Sequence, residues 1–303
     1  MPDRRQIPLI VSLAALVWPV TACGVSSARG GTDTAVSAVS PPSATDRVLD
    51  ATSEVGDAID EAVLPDLPAS EVSVLSAPLE AIGSSNGPET TRIQLRLIEL
   101  GFWLDGYDGR YSHTTRQAVM AFQKYSGLEP TGAVDDETAF ALTVASNRAI
   151  GISEVPGVIV EVDKDRQLLF MMVDGRLEWA LNVSTGSGQF YRERNQKDPN
   201  RWEKGRSLTP SGFFVVDRER PHGWWSGDLG EIYRPKYFNG GVAIHGSKVI
   251  PNYPASHGCV RVSTAAMDMI WESGLVPRRT MIWVYGNDIE PEQTEAEVEW
   301  TPV

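Results

Sequence analysis

Two folded domains of different kind are predicted: a small three-helix bundle over residues 89–147, then a mainly β domain over 155–286. Three observations carry this reading. Apolar residues recur at helical spacing up to Val144 and at a period of two from Gly157 onward. Asp174-Gly175 lies between two apolar runs and is a strong tight-hairpin signal. The chain has 303 residues, a length that two domains fill by the usual prior.

The elements follow in order. Ile93, Leu97 and Leu100 form one helical stripe, stopped by Gly101. Ser112 caps a second helix carrying Ala118, Val119 and Phe122, stopped by Gly127. Asp135 or Asp136 caps a third, with Phe140 and Val144 expected inward. In the second domain Val158–Val162, Gln167–Val173 and Leu177–Val183 read as strands, as do Gly212–Val216, Val242–His245 and Met281–Tyr285. Ser263 caps one helix from Thr264 to Glu272, stopped by Gly274. Residues 187–208 and 221–240 show no strand pattern, and long loops in a compact domain are usually functional. The second, with Trp224, Trp225, Tyr233, Tyr237 and Phe238, is a candidate lid or substrate wall.

The remaining segments read as export and tether. Arg4 and Arg5 precede an apolar stretch from Ile7 to Val20 that is too short and broken to span a membrane, so residues 1–22 are expected to be a signal peptide. It ends Val20-Thr21-Ala22-Cys23-Gly24, which resembles a bacterial lipobox; the resemblance implies lipidation of Cys23 and a membrane-anchored envelope protein. Residues 23–88 hold no aromatic residue and are expected to be a largely disordered linker, except for a short amphipathic helix through Val48, Val55, Ile59 and Val63. Residues 287–303 hold six acidic and no basic residues, the composition of a solvated tail. The net charge of −13 and the lack of any basic run argue against a nucleic-acid partner.

The chemistry concentrates in residues 245–262, which hold two of four histidines and one of two cysteines. A cysteine with the ordinary pKa of about 8.5 needs a nearby base to become a nucleophile. His245 and His257 are the available bases for Cys259, Gly258 allows close backbone approach, and nearby amides offer an oxyanion hole. The same residues, read blandly, are a small buried thiol and two loop histidines; their clustering favours a cysteine acyltransferase or hydrolase.

His245-Gly246 followed by Ser256-His257-Gly258-Cys259-Val260-Arg261 resembles the signature of the L,D-transpeptidases, the YkuD-like catalytic domain. Thr209-Pro210-Ser211-Gly212-Phe213-Phe214 and Val183-Ser184-Thr185-Gly186 extend the likeness. Tyr107-Asp108-Gly109-Arg110-Tyr111, Thr115, Ala118-Val119, Phe122-Gln123, Gly127-Leu128 and Thr131-Gly132 look like the peptidoglycan-binding domain family, with Trp103, Tyr107 and Tyr111 either core or glycan platform. These resemblances imply a β-sandwich-like catalytic fold and 3–3 cross-linking of peptidoglycan stem peptides through a thioester on Cys259. Carboxypeptidase action at the same site is the alternative.

They further imply His245 as general base and His257 as an orienting neighbour, with the Gly258 and Cys259 amides as oxyanion donors. Substrate contacts are expected from Arg261, Gly246, Ser256 and Tyr237, and carbapenems are expected to be covalent inhibitors. No metal or cofactor is expected. Gly246 stands where some members have serine, so the group orienting His245 must lie elsewhere. Two rivals are a zinc peptidase using His222, His245, His257 and Cys259, and an inactive wall-binding lipoprotein.

Overall fold

The computed structural model describes residues 71–300. The signal peptide, Cys23 and the helix expected around residues 48–63 lie outside the described residues.

Helices α1 (Pro88–Glu99), α2 (His113–Tyr125) and α3 (Asp136–Val144) form the bundle. Pro88 starts α1, where its missing N–H costs nothing. The side chains of Ser112 and Asp135 accept the amides of Thr115 and Thr138, as N-caps do. Phe140 and Val144 are not inward: they are exposed, while Ala139 and Leu142 face the core. With only nine residues and its apolar side chains spread around the helix, α3 has no pattern to say which side faces inward.

Residues 71–87 belong to the bundle and not to the linker. Val72 and Leu79 are buried in its core, and Val72 N–H donates to Ser146 O at 2.9 Å. Val72, Leu75, Leu79 and Ile82 are scattered among serines, acids and Pro78, and the segment forms no helix or strand whose period could reveal it. Trp103 packs partly into the β core, Tyr111 donates to Gly132 O at 2.8 Å, and Tyr107 is exposed.

Strands β1 (Val158–Asp163), β2 (Leu168–Val173) and β3 (Arg176–Asn182) follow. Asp174 and Gly175 both have positive φ (50° and 75°), as the predicted two-residue hairpin demands. Then come β4 (Phe190–Arg194), β5 (Trp202–Arg206), β6 (Gly212–Val215), β7 (Arg218–Glu219), β8 (Trp224–Gly227), β9 (Gly230–Asn239), β10 (Val242–Ser247) and β11 (Val260–Ser263). Helix α4 (Thr264–Glu272), capped by Ser263, leads to β12 (Met281–Tyr285) and α5 (Glu295–Trp300). One sheet runs β3-β2-β1-β12-β6; a second runs β11-β10-β9-β7 with β8 also on β9. Residues 187–208 and 221–240 are thus hairpins, not structureless loops. The tail is pinned at its start, where Lys164 pairs with Asp288 and Arg206 donates to Ile289 O.

The first sheet is buried on both faces. Val160, Val162, Leu169 and Met171 point into the core shared with Ile244, Val260, Val262, Met267 and Ile270 of the second sheet and α4. Ile159, Leu168, Phe170, Met172, Leu177 and Ala180 point the other way, into the bundle core with Leu97, Phe102 and Phe122. This is why β2 reads Leu-Leu-Phe-Met-Met-Val with no alternation. Phe102, Tyr125 and Phe170 continue the contact as an edge-to-face chain with centroids 5.8 and 6.3 Å apart. Ala180 N–H donates to Gly101 O at 2.8 Å and Trp103 N–H to Ala180 O at 3.2 Å, so the chain after α1 adds to the sheet edge. The connector between the domains is fixed as well: the amides of Ile152 and Ser153 donate to the fully buried Glu161 carboxylate, as does Tyr285 Oη.

Candidate active site

Parallel pairing of β10 with β11, Ile244 opposite Val260 and His245 opposite Arg261, brings the two ends of the 245–262 segment together. His245 and Cys259 both line one cleft of about 790 Å³, within the range of ligand sites. His257, Arg261 and Tyr237 line it as well, together with Tyr191 of β4 and the β8–β9 hairpin from Trp225 to Ile232. The expected substrate wall is therefore a wall of the cleft, built as a β-hairpin.

His245 is buried, and its Nδ1 lies 2.9 Å from Gly246 O. A carbonyl can only accept, so Nδ1 carries the hydrogen and the Nε2 lone pair is left free. The acceptor that orients His245 is thus the backbone of the residue that replaces serine. Burial lowers the His245 pKa to about 4, and the Arg261 guanidinium pushes in the same direction. Burial raises the Cys259 thiol, although the Ala243 backbone and Arg261 oppose this. At neutral pH both groups are uncharged, and Cys259 Sγ–H donates to Gly241 O at 3.7 Å instead of meeting His245. The resting site holds a neutral thiol and a neutral imidazole in one cleft, so the thiol must lose its proton before it can attack.

A consequence is measurable. The rate of Cys259 alkylation by a small iodoacetamide-type reagent should still be rising above about pH 8.5, where an ordinary thiol is half ionised. Arg261→Gln should shift that rise to still higher pH, because a cation that lowers the thiol pKa has been removed. A plateau of full reactivity below about pH 7 would contradict the neutral pair.

The turn before Cys259 is held from several sides. Ser256 Oγ donates to Cys259 O at 2.5 Å and accepts from Gly258 N–H at 3.0 Å. Of the two amides expected to serve an oxyanion, that of Gly258 is therefore occupied, and that of Cys259 remains. Thr209 Oγ1 donates to Gly258 O at 2.7 Å and accepts from Gly186 N–H at 2.8 Å. Gly258 has φ +133°, and a Cβ there would sit 2.6 Å from Leu208 O, so only glycine fits.

Ser256 and Gly246 are not cleft-lining residues: Ser256 is buried as a backbone brace, and a Cβ on Gly246 would meet Tyr233 at 2.8 Å. Both belong to positioning and not to substrate contact. Sequence reasoning placed them at the surface of the site because it sees adjacency but not packing.

His257 is held by residues that sequence reasoning missed. Its Nε2 lies 3.0 Å from Glu193 Oε1, and its ring meets Tyr191 edge-on at 4.8 Å. Both partners come from the β4–β5 hairpin, more than sixty residues away in a charged segment with no readable period. Arg261 is half-buried and bears no ion pair among the described residues. Tyr237 carries Arg218 stacked on its ring at 4.0 Å. His222, the remaining ligand of a zinc reading, is exposed and lies outside the cleft lining.

Fold and cleft together define a two-sheet domain with a thiol–imidazole site, joined to a helical bundle. The model of the YkuD L,D-transpeptidase catalytic domain matches residues 157–284, and that of a peptidoglycan binding domain matches residues 86–142. A solved L,D-transpeptidase from Xylanimonas cellulosilytica is 43% identical with a TM-score of 0.62, covering 69% of this chain and 98% of that one. One from Stackebrandtia nassauensis is 20% identical with a TM-score of 0.39, covering 70% and 98%. One from Mycobacterium smegmatis is 20% identical with a TM-score of 0.32, covering 43% and 58%. No curated protein matches. The chain belongs to the L,D-transpeptidase family and carries a peptidoglycan-binding domain.

Proposed function

We propose that the protein forms 3–3 cross-links between peptidoglycan stem peptides through a thioester on Cys259. The observation that carries this is the imidazole locked by Gly246 O in the tautomer that leaves Nε2 basic, in one cleft with the thiol. Substrate binding displaces the thiol from Gly241 O, and His245 Nε2 takes its proton. The thiolate attacks the carbonyl of the third, L-configured residue of a tetrapeptide stem. The Cys259 amide stabilises the oxyanion. His245 then gives the proton to the departing amine of the terminal D-Ala, and a thioester remains. An amine of a second stem resolves it and completes the cross-link; water in its place gives carboxypeptidation. Arg261, the unpaired cation beside the thiol, meets a carboxylate of the donor.

Mass spectrometry of products from purified tetrapeptide muropeptide tests this. Dimers lacking one terminal D-Ala are expected. Trimmed tripeptide alone would favour the hydrolytic reading, and unchanged substrate would overturn both.

The chain is also proposed to be an exported lipoprotein anchored through Cys23, on the strength of Val20-Thr21-Ala22-Cys23 and the polar stretch after it. A flexible chain of about 47 residues, ending where the bundle begins at residue 71, would reach roughly 40 Å on average, which lets an anchored enzyme meet the wall. Cys23→Ser should move the protein from the membrane fraction to the soluble exported fraction; identical fractionation would refute the anchor.

A further inference from the structure

The turn that carries Cys259 hangs on the chain that leaves β3. Ser184 exchanges backbone hydrogen bonds with Arg261, at 3.2 and 3.0 Å. Thr185 O accepts the amides of Ala255 and Ser256 at 3.0 and 2.9 Å, and Ser187 N–H donates to Ser256 O at 3.0 Å. Residues 184–187 therefore form a strap that grips the turn on both sides of the thiol. Gln167 sets the strap in its turn: its side chain accepts from Thr185 N–H at 2.8 Å and donates to Thr185 Oγ1 at 2.7 Å.

The root of that strap is held from the bundle. Lys124, half-buried on α2, donates through Nζ to Gln167 O and to Val183 O, both at 3.3 Å. Val183 is the first residue beyond β3, where a carbonyl has left the ladder and needs a donor. Burial lowers the Lys124 pKa to about 7, and no acid opposes the shift. Sinking an amine there is unfavourable. An apolar side chain would fill the space without that penalty, so the two bonds are what the amine contributes. The loop between His245 and Cys259 meets the bundle a second time: Asn252 Nδ2 donates to Pro130 O, between α2 and α3, at 3.1 Å.

We infer that Lys124 is a positioning residue of the catalytic site: from the wall-binding bundle it fixes the strap, and through the strap the placement of Cys259. The amine touches no reacting atom and acts through the backbone. Its loss leaves Val183 O without a donor and loosens the tie to Gln167 O, so the strap and the turn can shift. A displacement of about 1 Å at a reacting atom can cost about 100-fold in rate. The inference rests on the thioester reading above. It makes the bundle part of the catalytic apparatus and not only a wall anchor.

The full chain bearing Lys124→Met tests it, since methionine is close to the lysine stem in length and donates nothing. Cross-linking of tetrapeptide muropeptide should fall about tenfold or more in kcat with KM held within about twofold, because the lost contact acts on the placement of the thiol and not on binding. Lys124→Gln, whose shorter amide still donates to one carbonyl, should lose less, about threefold. Both variants should melt cooperatively. A parent-like kcat in either of them overturns the role, as does a change confined to KM. Loss of the cooperative melt in both overturns it too, because the amine then holds the seam and not the turn. If the parent makes no dimers, the stem-peptide reading falls by itself, and the rate of carbapenem acylation at Cys259 in the same two variants decides for Lys124. A parent that the drug does not acylate either overturns both.

Discussion

Cys259→Ala should lower cross-linking by about 10,000-fold or more while the protein stays folded, because no other thiol lines the cleft and no second group can carry the acyl chain. His245→Ala should cost about 100- to 10,000-fold, the usual worth of a positioned base. His257→Ala should cost less, since its ring is tied to Glu193 and Tyr191 at the rim. The same thiol should open a carbapenem ring and keep it. Intact-protein mass spectrometry should show a single drug adduct that is absent from Cys259→Ala, with turnover unchanged by chelator. Wild-type turnover by Cys259→Ala would end the thioester mechanism. Chelator-sensitive turnover with no adduct would favour hydrolysis by a metal-bound water.

Deleting residues 71–149 should cost the catalytic domain its fold and not merely its affinity for the wall. In the sequence the two domains look separable, since residues 89–147 resemble a binding module and lack the Cys259 constellation. The packing says otherwise. Ile159, Leu168, Phe170, Met172 and Leu177 bury one face of the first sheet in the bundle core. Uncovering them forfeits on the order of 10 kcal/mol at about 1.5–3 kcal/mol per side chain. That is comparable to the whole stability of a typical domain, about 5–15 kcal/mol. The fragment should be insoluble, or bind a hydrophobic dye and melt without a cooperative transition. A soluble fragment with normal turnover and a sharp melt would show that the bundle is dispensable to the fold.

What the sequence made legible was local. The β2–β3 hairpin, the caps at Ser112, Asp135 and Ser263, and the closeness of His245 to Cys259 all follow from residues near one another in the chain. What it hid was long-range or irregular. β9 contains Pro235 and an Arg234 at φ 47°, so its alternation is broken where the strand bends over the cleft. β4 and β5 are charged and partly exposed, and a strand with little to bury shows no period. Glu193, Tyr191 and Thr209 enter the site only because hairpins and strand entries converge on the Cys259 turn. The proposed nucleophile, Cys259, was readable from its neighbours in sequence, but its neutral resting state depends on burial.

The doubly covered sheet also bears on inheritance and engineering. Domains joined by a loose connector can be exchanged like parts, since neither has shaped its surface to the other. Here Leu168, Phe170 and Met172 meet Leu97, Phe102 and Phe122 in a single apolar mass. A helical module borrowed from another wall-binding protein would bring a different relief to β2, and the mismatch would appear as cavities or clashes beneath the enzyme. Changes on either side of the seam must be matched on the other, so the two halves are expected to vary across relatives as one unit.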